Sequence, residues 1–433
     1  MATTVHRGLS PLSKRLPNGA TVIAQHTTTH RAVTIHASVA AGSGHDADEA
    51  LGTAAFVAEA IDRGTESHSA DALAEAFDAR GVSLSVGVSR HLMTFSCTCL
   101  AEDVEEVLGL VAGVITHPTF PPDQVERRRS AVITSIRQDE DNPAVVATEA
   151  LMATLYPGGH PYGRRAKGTV ASVQAIGRDA LIAFHREHVG ASQLRVVIVG
   201  EVDSARAVTL AEAVFGGWAH PGGAPLAPPP VTSASTRTTQ TLTLAGKAQS
   251  DIAYGFTSVT RPDPRYYALT LMNTVLGQYA MGGRLGDSIR ERQGMAYYVF
   301  SSFDANVAEG PLMVRAGVNP ANVARAIASI DEEVARMARD GATPSELGDA
   351  KRYLIGSMPR MLETNGGIAA FLHTADFFGL GLDFDQRLPA LLDAVTLDQV
   401  QEVARTFLAP DRAAIVVAGP PGDAVQARGP EPR

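Results

Sequence analysis

The sequence repeats itself at a fixed spacing, and that repeat constrains the fold more than any single motif. Residues 176–203, IGRDALIAFHREHVGASQLRVVIVGEVD, and residues 395–423, VTLDQVQEVARTFLAPDRAAIVVAGPPGD, both read as an amphipathic helix followed by an apolar strand. Ile176 pairs with Val395, Asp179 with Asp398, Leu181 with Val400, Phe184 with Val403, His188 with Phe407 and Gly200 with Gly419, each 219 residues apart. Two unrelated helices have no reason to share one register over 25 positions, so a duplicated domain accounts for it. A second correspondence joins FPPDQVERRRSAVITSI, from residue 120, to ATPSELGDAKRYLIGSM, from residue 342, at an offset of 222. Each reads as a helix start, with Asp123 or Ser345 capping after a proline.

At 433 residues and 45% hydrophobic content, the chain can fill two cores. The break between the copies is GGWAHPGGAPLAPPPVTSASTRTTQ, residues 216–240, rich in Pro, Gly, Ser and Thr and without apolar periodicity. The expected layout is a domain over 1–220, a linker over 221–236, a second domain over 237–420 and a flexible tail over 421–433. Each half opens with strands (GATVIAQH and VTIHASVAAG; TQTLTLAG and SDIAYGFTSV), continues with helices and a further strand pair, and ends on the repeated helix and strand. Strands and helices are mixed without the strict alternation of a doubly wound sheet. The expected class is α+β: two homologous domains, each a mostly antiparallel sheet backed by helices.

A net charge of −9 and a pI near 5.8 speak against a nucleic-acid partner. No apolar run reaches the length of a membrane span, and the start MATTVHRGLSPLSKRLPNG lacks a signal-peptide core, so a cytoplasmic protein with no membrane partner is expected. Cys97 and Cys99 lie in HLMTFSCTCL, which reads as a strand; both would point to one face, where a bridge is strained, and both are expected to be reduced. No paired Cys or His stands nearby to complete a zinc set. In HREH, His185 and His188 are spaced to share a metal, but His188 matches apolar Phe407 in the repeat and is expected to pack at a helix end. His91, His117, His160 and His373 stand apart in sequence and are expected on the surface or in loops.

LGTAAFVAEAIDRGT, residues 51–65, places Ala54, Phe56, Val57 and Ile61 close to the spacing of a buried helix face, with Glu59 and Asp62 interrupting it. Together with HPYGRRAKGTVASVQAI from residue 160, VVIVGEVD, and RERQGMAYYVFSS, it resembles the pitrilysin-type (M16) zinc metallopeptidases, in particular the short chains that pair as dimers. The resemblance covers nearly the whole sequence. In that family the helix reads G-x-A-H-F-x-E-H-x-x-x-x-G-T: two imidazoles four residues apart share a zinc ion, and the carboxylate between them activates its water. Here the frame of Gly52, Ala54, Phe56, Gly64 and Thr65 places Ala55 and Glu59 at the His positions and Ala58 at the base. The remaining family ligand, a Glu 76 residues further on, falls on Ser135. The resemblance therefore implies an active-site helix whose zinc chemistry is gone, and no cofactor bound by this chain.

GGRLGDSIRERQGMAYYVFSSF, residues 282–303, resembles the family segment ending L-R-E-x-x-G-x-A-Y, in which the Arg and the Tyr seven residues later contact the substrate backbone. These are Arg290 and Tyr297, both intact, and a guanidinium and a phenol can donate to a peptide carbonyl as it gains charge. Tyr298 is expected to face the other side and pack. Gly282, Gly283 and Gly286 form a glycine-rich turn without the Lys-Ser/Thr ending of a phosphate loop.

The expectation is a non-catalytic subunit of a heterodimeric peptidase, inactive alone, offering Arg290 and Tyr297 to a zinc-bearing partner of the same family. The substrates would be peptides, the precursor peptide of pyrroloquinoline quinone being one candidate. Two rivals remain open: an inert scaffold, as in the respiratory-complex core proteins that resemble this family, and a free-standing hydrolase with a rebuilt metal site.

Overall fold

Strand burial sets the architecture. In β5 (Met93–Leu100) Met93, Phe95, Cys97 and Cys99 are buried and their neighbours are not, the period-two pattern of a sheet with one packed face. In β6 (Arg195–Gly200) every residue after the first is buried, as a central strand covered on both faces requires. The computed structural model describes residues 8–28, 31–232, 235–278 and 283–421. The chain is α+β, with two sheets backed by helices.

The first sheet is ordered β1-β2-β6-β3-β5-β4, with β1 at Leu12–Arg15, β2 at Thr21–His26, β3 at Ala32–Val39 and β4 at Ser85–Val88. All its pairs are antiparallel except β2 with β6. Its helices are α1 (Thr53–Ala60), α2 (Ala70–Asp78), α3 (Val104–Thr116), α4 (Pro122–Glu140), α5 (Pro143–Leu155), α6 (Val170–Ala175), α7 (Arg178–His188) and α8 (Ser204–Phe215) in chain order, α5 excepted, as described below. The core there includes Phe56, Phe95, Phe120 and Phe215, none more than 1% exposed. Cys97 and Cys99 are free, and burial pushes their thiols up to about 12 and about 11, so they act as small apolar groups.

The second sheet is ordered β7-β11-β8-β10-β9, with β7 at Thr238–Thr243, β8 at Ser250–Thr257, β9 at Ala296–Phe303, β10 at Pro311–Val318 and β11 at Ala414–Gly419. This is the order β2-β6-β3-β5-β4 over again. The remaining helices in chain order are α9 (Tyr266–Asn273), α10 (Val323–Asp340), α11 (Pro344–Met361), α12 (Asn365–Phe377), α13 (Phe384–Asp393) and α14 (Leu397–Phe407), of which α12 does not cover this sheet, as described below. The expected repeat is carried by whole elements: α7 and α14, like β6 and β11, start and end 219 residues apart, and α4 and α11, like α5 and α12, start 222 apart. The prolines Pro122 and Pro344 open α4 and α11, so Asp123 and Ser345 lie inside those helices and are not their caps. Thr343 caps α11, exchanging bonds with Glu346.

The compact units differ from contiguous halves. One comprises the chain up to Arg137, Arg164–Ala227 and Gly356–Pro389; the other comprises Gln138–Gly163, Pro228–Ile355 and the chain from Ala390 on. The consequence is an exchange of equivalent helices. Ile368, Ala369 and Leu372 of α12 cluster with Ile23, Val197 and Val199 of the first sheet, while Ala147, Leu151 and Leu155 of α5 cluster with Ala253, Ala414, Val416 and Ala418 of the second. A central strand buried on both faces needs such a cover, and each fully buried Leu contributes about 1.5–3 kcal/mol. The composition break carries no helix or strand from residue 219 to 232, and it is docked where Ala191 N donates to His220 O at 2.8 Å. Of the expected tail, all but Pro421 lies outside the described residues.

Candidate functional site

The helix α1 starts on Gly52, whose φ of +97° and close approach to the carbonyl of Lys167 both require glycine; a Cβ would stand 2.4 Å from that oxygen. Glycine brings no capping side chain, and Asp46 supplies one from six residues away: its carboxylate oxygens accept from Gly52 N and Ala54 N, each at 2.8 Å. Asp46 is buried, which pushes its carboxyl up to about 6 against the opposing pull of those two N–H groups and Arg164. Arg164 donates to Asp46 O at 2.9 Å and pairs with Asp48 at 2.8 Å, so the stretch 164–168 is fastened across the start of the helix.

On this helix Ala55 is half-buried, Ala58 is buried and Glu59 is exposed. Ala55 and Glu59 lie on one face by their four-residue spacing. Ser135 on α4 is half-buried, and its hydroxyl accepts from Lys167 Nζ at 2.8 Å. These residues do not fit a zinc ion: two positions hold methyl groups, one a carboxylate, and the fourth a hydroxyl already beside an ammonium that repels a cation. Among the described residues no three His, Cys, Asp or Glu side chains group to hold a metal.

Three of the four isolated histidines lie in loops as expected, His117 exposed and His91 and His160 buried at 5% and 6% exposure, whereas His373, within α12 and 6% exposed, is neither on the surface nor in a loop. The imidazole body packs as an apolar ring once its nitrogens find partners. His160 lies between Tyr156 and Tyr162, at 5.2 and 5.3 Å, and bonds Pro229 O at 3.1 Å. His373 is hydrogen-bonded to Ser38 Oγ at 2.6 Å, edge-on to His36. His185 and His188 do not converge: His185 Nε2 donates to Ile115 O at 2.8 Å, while His188 packs against Phe184 and His45, at 4.7 and 4.6 Å, as its apolar counterpart in the repeat foretold.

The Arg290 segment is built differently. After α9 the chain widens into a π-helical turn at Thr274–Gln278, and the described residues resume at Gly283 and enter a second π-helical stretch, Gly286–Arg292; Gly282 lies outside them. Such turns are rare and often mark functional sites. Leu285 and Ile289 are fully buried and anchor the stretch, while Arg290 is exposed and stands 3.8 Å from Glu291. Gly294, at φ +61°, turns the chain into β9, with Met295 N bonded to Ile289 O at 3.1 Å. There the register against β10 slips: Tyr298 faces Gly317 and Ala296 faces Val318, which leaves Tyr297 as the extra residue of a β-bulge. Tyr297 is 63% exposed. Tyr298 is half-buried and not packed in the core, and its hydroxyl donates to Asp251.

The sequence points to Arg290 and Tyr297 through the family resemblance, but not to the bulge or to Asp46. The adjacent tyrosines and a glycine within β10 were the available signals for the first; nothing in the spacing pointed to the second.

The pattern described as "Insulinase (Peptidase family M16)" matches residues 21–167, and that described as "Peptidase M16 inactive domain" matches 175–354. An uncharacterized zinc protease of Mycobacterium leprae is 29% identical over 91% of this chain and 88% of its own length. A probable mitochondrial-processing peptidase subunit beta of Arabidopsis thaliana is 24% identical over 94% of this chain and 77% of its own. The crystal structure of a peptidase M16 inactive domain from Pseudomonas fluorescens superposes with a TM-score of 0.89 at 26% identity, covering 95% of this chain and 98% of that one.

Proposed function

The chain belongs to the M16 peptidase family, and on that footing we propose that it is the non-catalytic subunit of a two-chain zinc peptidase. The observation that carries the reading is an asymmetry within one molecule. Arg290 and Tyr297 are intact and exposed, whereas the helix that carries metal and base in the family holds Ala55, Ala58 and Glu59, with Ser135 at the remaining position. A zinc-bearing chain of the same family would supply the metal and the carboxylate that activates water. This chain would contribute a guanidinium and a phenol as donors to the peptide carbonyl oxygen as it gains charge, and losing one such donor slows analogous enzymes about 10²- to 10³-fold. The subunit name of the Arabidopsis relative supports a paired mode of action.

The substrate class is peptides and unfolded segments, with the precursor peptide of pyrroloquinoline quinone as one specific candidate. Two buried free thiols suit the reducing cytoplasm, and no helix among the described residues is long and apolar enough to cross a membrane.

The experiment is to assay cleavage of an unstructured peptide by this chain, by a zinc-bearing M16 chain from the same genome, and by their mixture. Activity confined to the mixture supports the reading. Cleavage by this chain alone overturns it in favour of a rebuilt metal site, and a mixture no more active than the zinc-bearing chain alone leaves a scaffold.

A further inference from the structure

The bulge at Tyr297 has a geometric purpose that its neighbours make legible. Val318, Ala316, Val314 and Leu312 are buried on one face of β10, and their partners on β9 are Ala296, Val299, Ser301 and Phe303. Regular pairing beyond Tyr298 would set Tyr297 opposite Val318, on that buried face. The slip puts the small Ala296 there and leaves Tyr297 out of the ladder. A one-residue change of register would therefore move the phenol from solvent to core.

The next residue is held firmly. The Tyr298 hydroxyl donates to Asp251 Oδ1, and Asp251, only 3% exposed, also accepts from Gln249 Nε2 at 3.1 and 3.2 Å. The Tyr298 ring lies across the bare Cα of Gly317, where a Cβ would stand 2.5 Å from ring atom Cε1 and 2.4 Å from Gln249 Nε2. Gly317 is thus a glycine for space, not for φ. Phe300 continues the face at 5.9 Å from Tyr298, under the Arg315 guanidinium at 4.6 Å. Burial and the adjacent carboxylate raise the Tyr298 phenol, so it remains a donor at neutral pH.

We propose that Tyr298, Asp251 and Gln249, seated over Gly317, are positioning residues that lock the β9 bulge and so set the direction of the Tyr297 side chain. The inference rests on Tyr297 being a substrate-binding group, and its test separates the two ideas.

The full chain is labelled with 3-fluorotyrosine, and the Tyr297 fluorine resonance is assigned by its loss in Tyr297→Phe. In Tyr298→Phe and in Gly317→Ala that resonance should shift or split while the remaining tyrosines keep theirs. Asp251→Asn, which retains an acceptor oxygen, should leave it close to wild type. A Tyr297 resonance unmoved in both Tyr298→Phe and Gly317→Ala overturns the lock, and so does one that moves only together with all the others. In parallel, anisotropy of a fluorescein-labelled unstructured 20-residue peptide reports binding. Tyr298→Phe should weaken it about tenfold, the loss of one well-placed polar contact, with Asp251→Asn less affected. If the peptide binds wild type and Tyr297→Ala alike, the substrate-binding reading fails, and the fluorine spectra still decide the lock.

Discussion

Arg284 grips Glu346 through two parallel hydrogen bonds, Nε to Oε1 and Nη2 to Oε2, each 2.7 Å long. Nη2 also donates to Gly341 O at 2.8 Å. The fork ties the π-helical stretch that presents Arg290 to the start of α11, and the Arg284 side chain is only 9% exposed. Replacing it as Arg284→Met leaves Glu346 with Thr343 but without its guanidinium partner and should destabilise the chain by about 2–4 kcal/mol. Chemical denaturation checks this, with Glu346→Gln as the milder comparison.

The same pair predicts an acid-dependent loss. Burial would raise the Glu346 carboxyl, but Arg284 and Thr343 outweigh it and hold it at about 2. A depressed folded-state value means that the stabilisation is present above the ordinary carboxylate range and is lost as pH falls from about 4.5 towards 2. Discounted for partial exposure, about 2 kcal/mol should disappear over that window. The Glu346→Gln variant should lack that part of the pH slope.

His373 acts at higher pH. Burial, with His36 and Arg195 adding to it, pushes its imidazole down to about 3. A lowered histidine folds neutral, so the unfolded chain binds the extra proton and stability falls as pH drops below 6.5. By pH 5 this group should remove about 2 kcal/mol, one and a half units of differential protonation. Urea midpoints of wild type and His373→Gln at pH 7 and pH 5 measure it: the gap between them should narrow on acidification.

The reading of α1 as a zinc helix with its ligands replaced can be tested by introducing the family's residues. Ala55→His, Ala58→Glu, Glu59→His and Ser135→Glu together rebuild the donor set, and zinc content after dialysis should rise from near zero to about one ion per chain. Adding Lys167→Ala should tighten binding further, because the Lys167 ammonium stands 2.8 Å from the Ser135 oxygen.

The start of α1 should be sensitive as well. Asp46→Ala strips the acceptor from Gly52 N and Ala54 N and should cost about 1–2 kcal/mol. Gly52→Ala should cost at least as much, since its Cβ meets the Lys167 carbonyl and its φ of +97° disfavours any side chain. Thermal unfolding of the two variants provides the comparison.

Much of this was legible in the sequence because it depends on local spacing. The register of Leu181 with Val400 and of Gly200 with Gly419 survives as whole elements, since a helix and the strand after it carry their own periodicities. The exchange of α5 and α12 was not legible: both helices are apolar on the faces that pack, and periodicity reports that a face is buried without reporting against what. The buried histidines escaped for a similar reason, because the partners of His160 and His373 include Pro229 and Ser38, remote in sequence. At the candidate site, Arg290 and Tyr297 were visible only through the resemblance of the segment around them to the family's L-R-E-x-x-G-x-A-Y stretch. The aim of Tyr297 depends on a register slip against β10, a pairing between strands that no single stretch encodes.

The central claim is that Arg290 and Tyr297 serve a reaction whose metal lies on another chain. Its most direct test is kcat/KM for peptide cleavage by the reconstituted pair, with wild type, Arg290→Ala and Tyr297→Phe in this chain and the zinc-bearing chain unchanged. A fall of about 10²-fold or more in each variant, with pair assembly intact by size exclusion, is the predicted result. Unchanged kcat/KM in both variants would contradict the account.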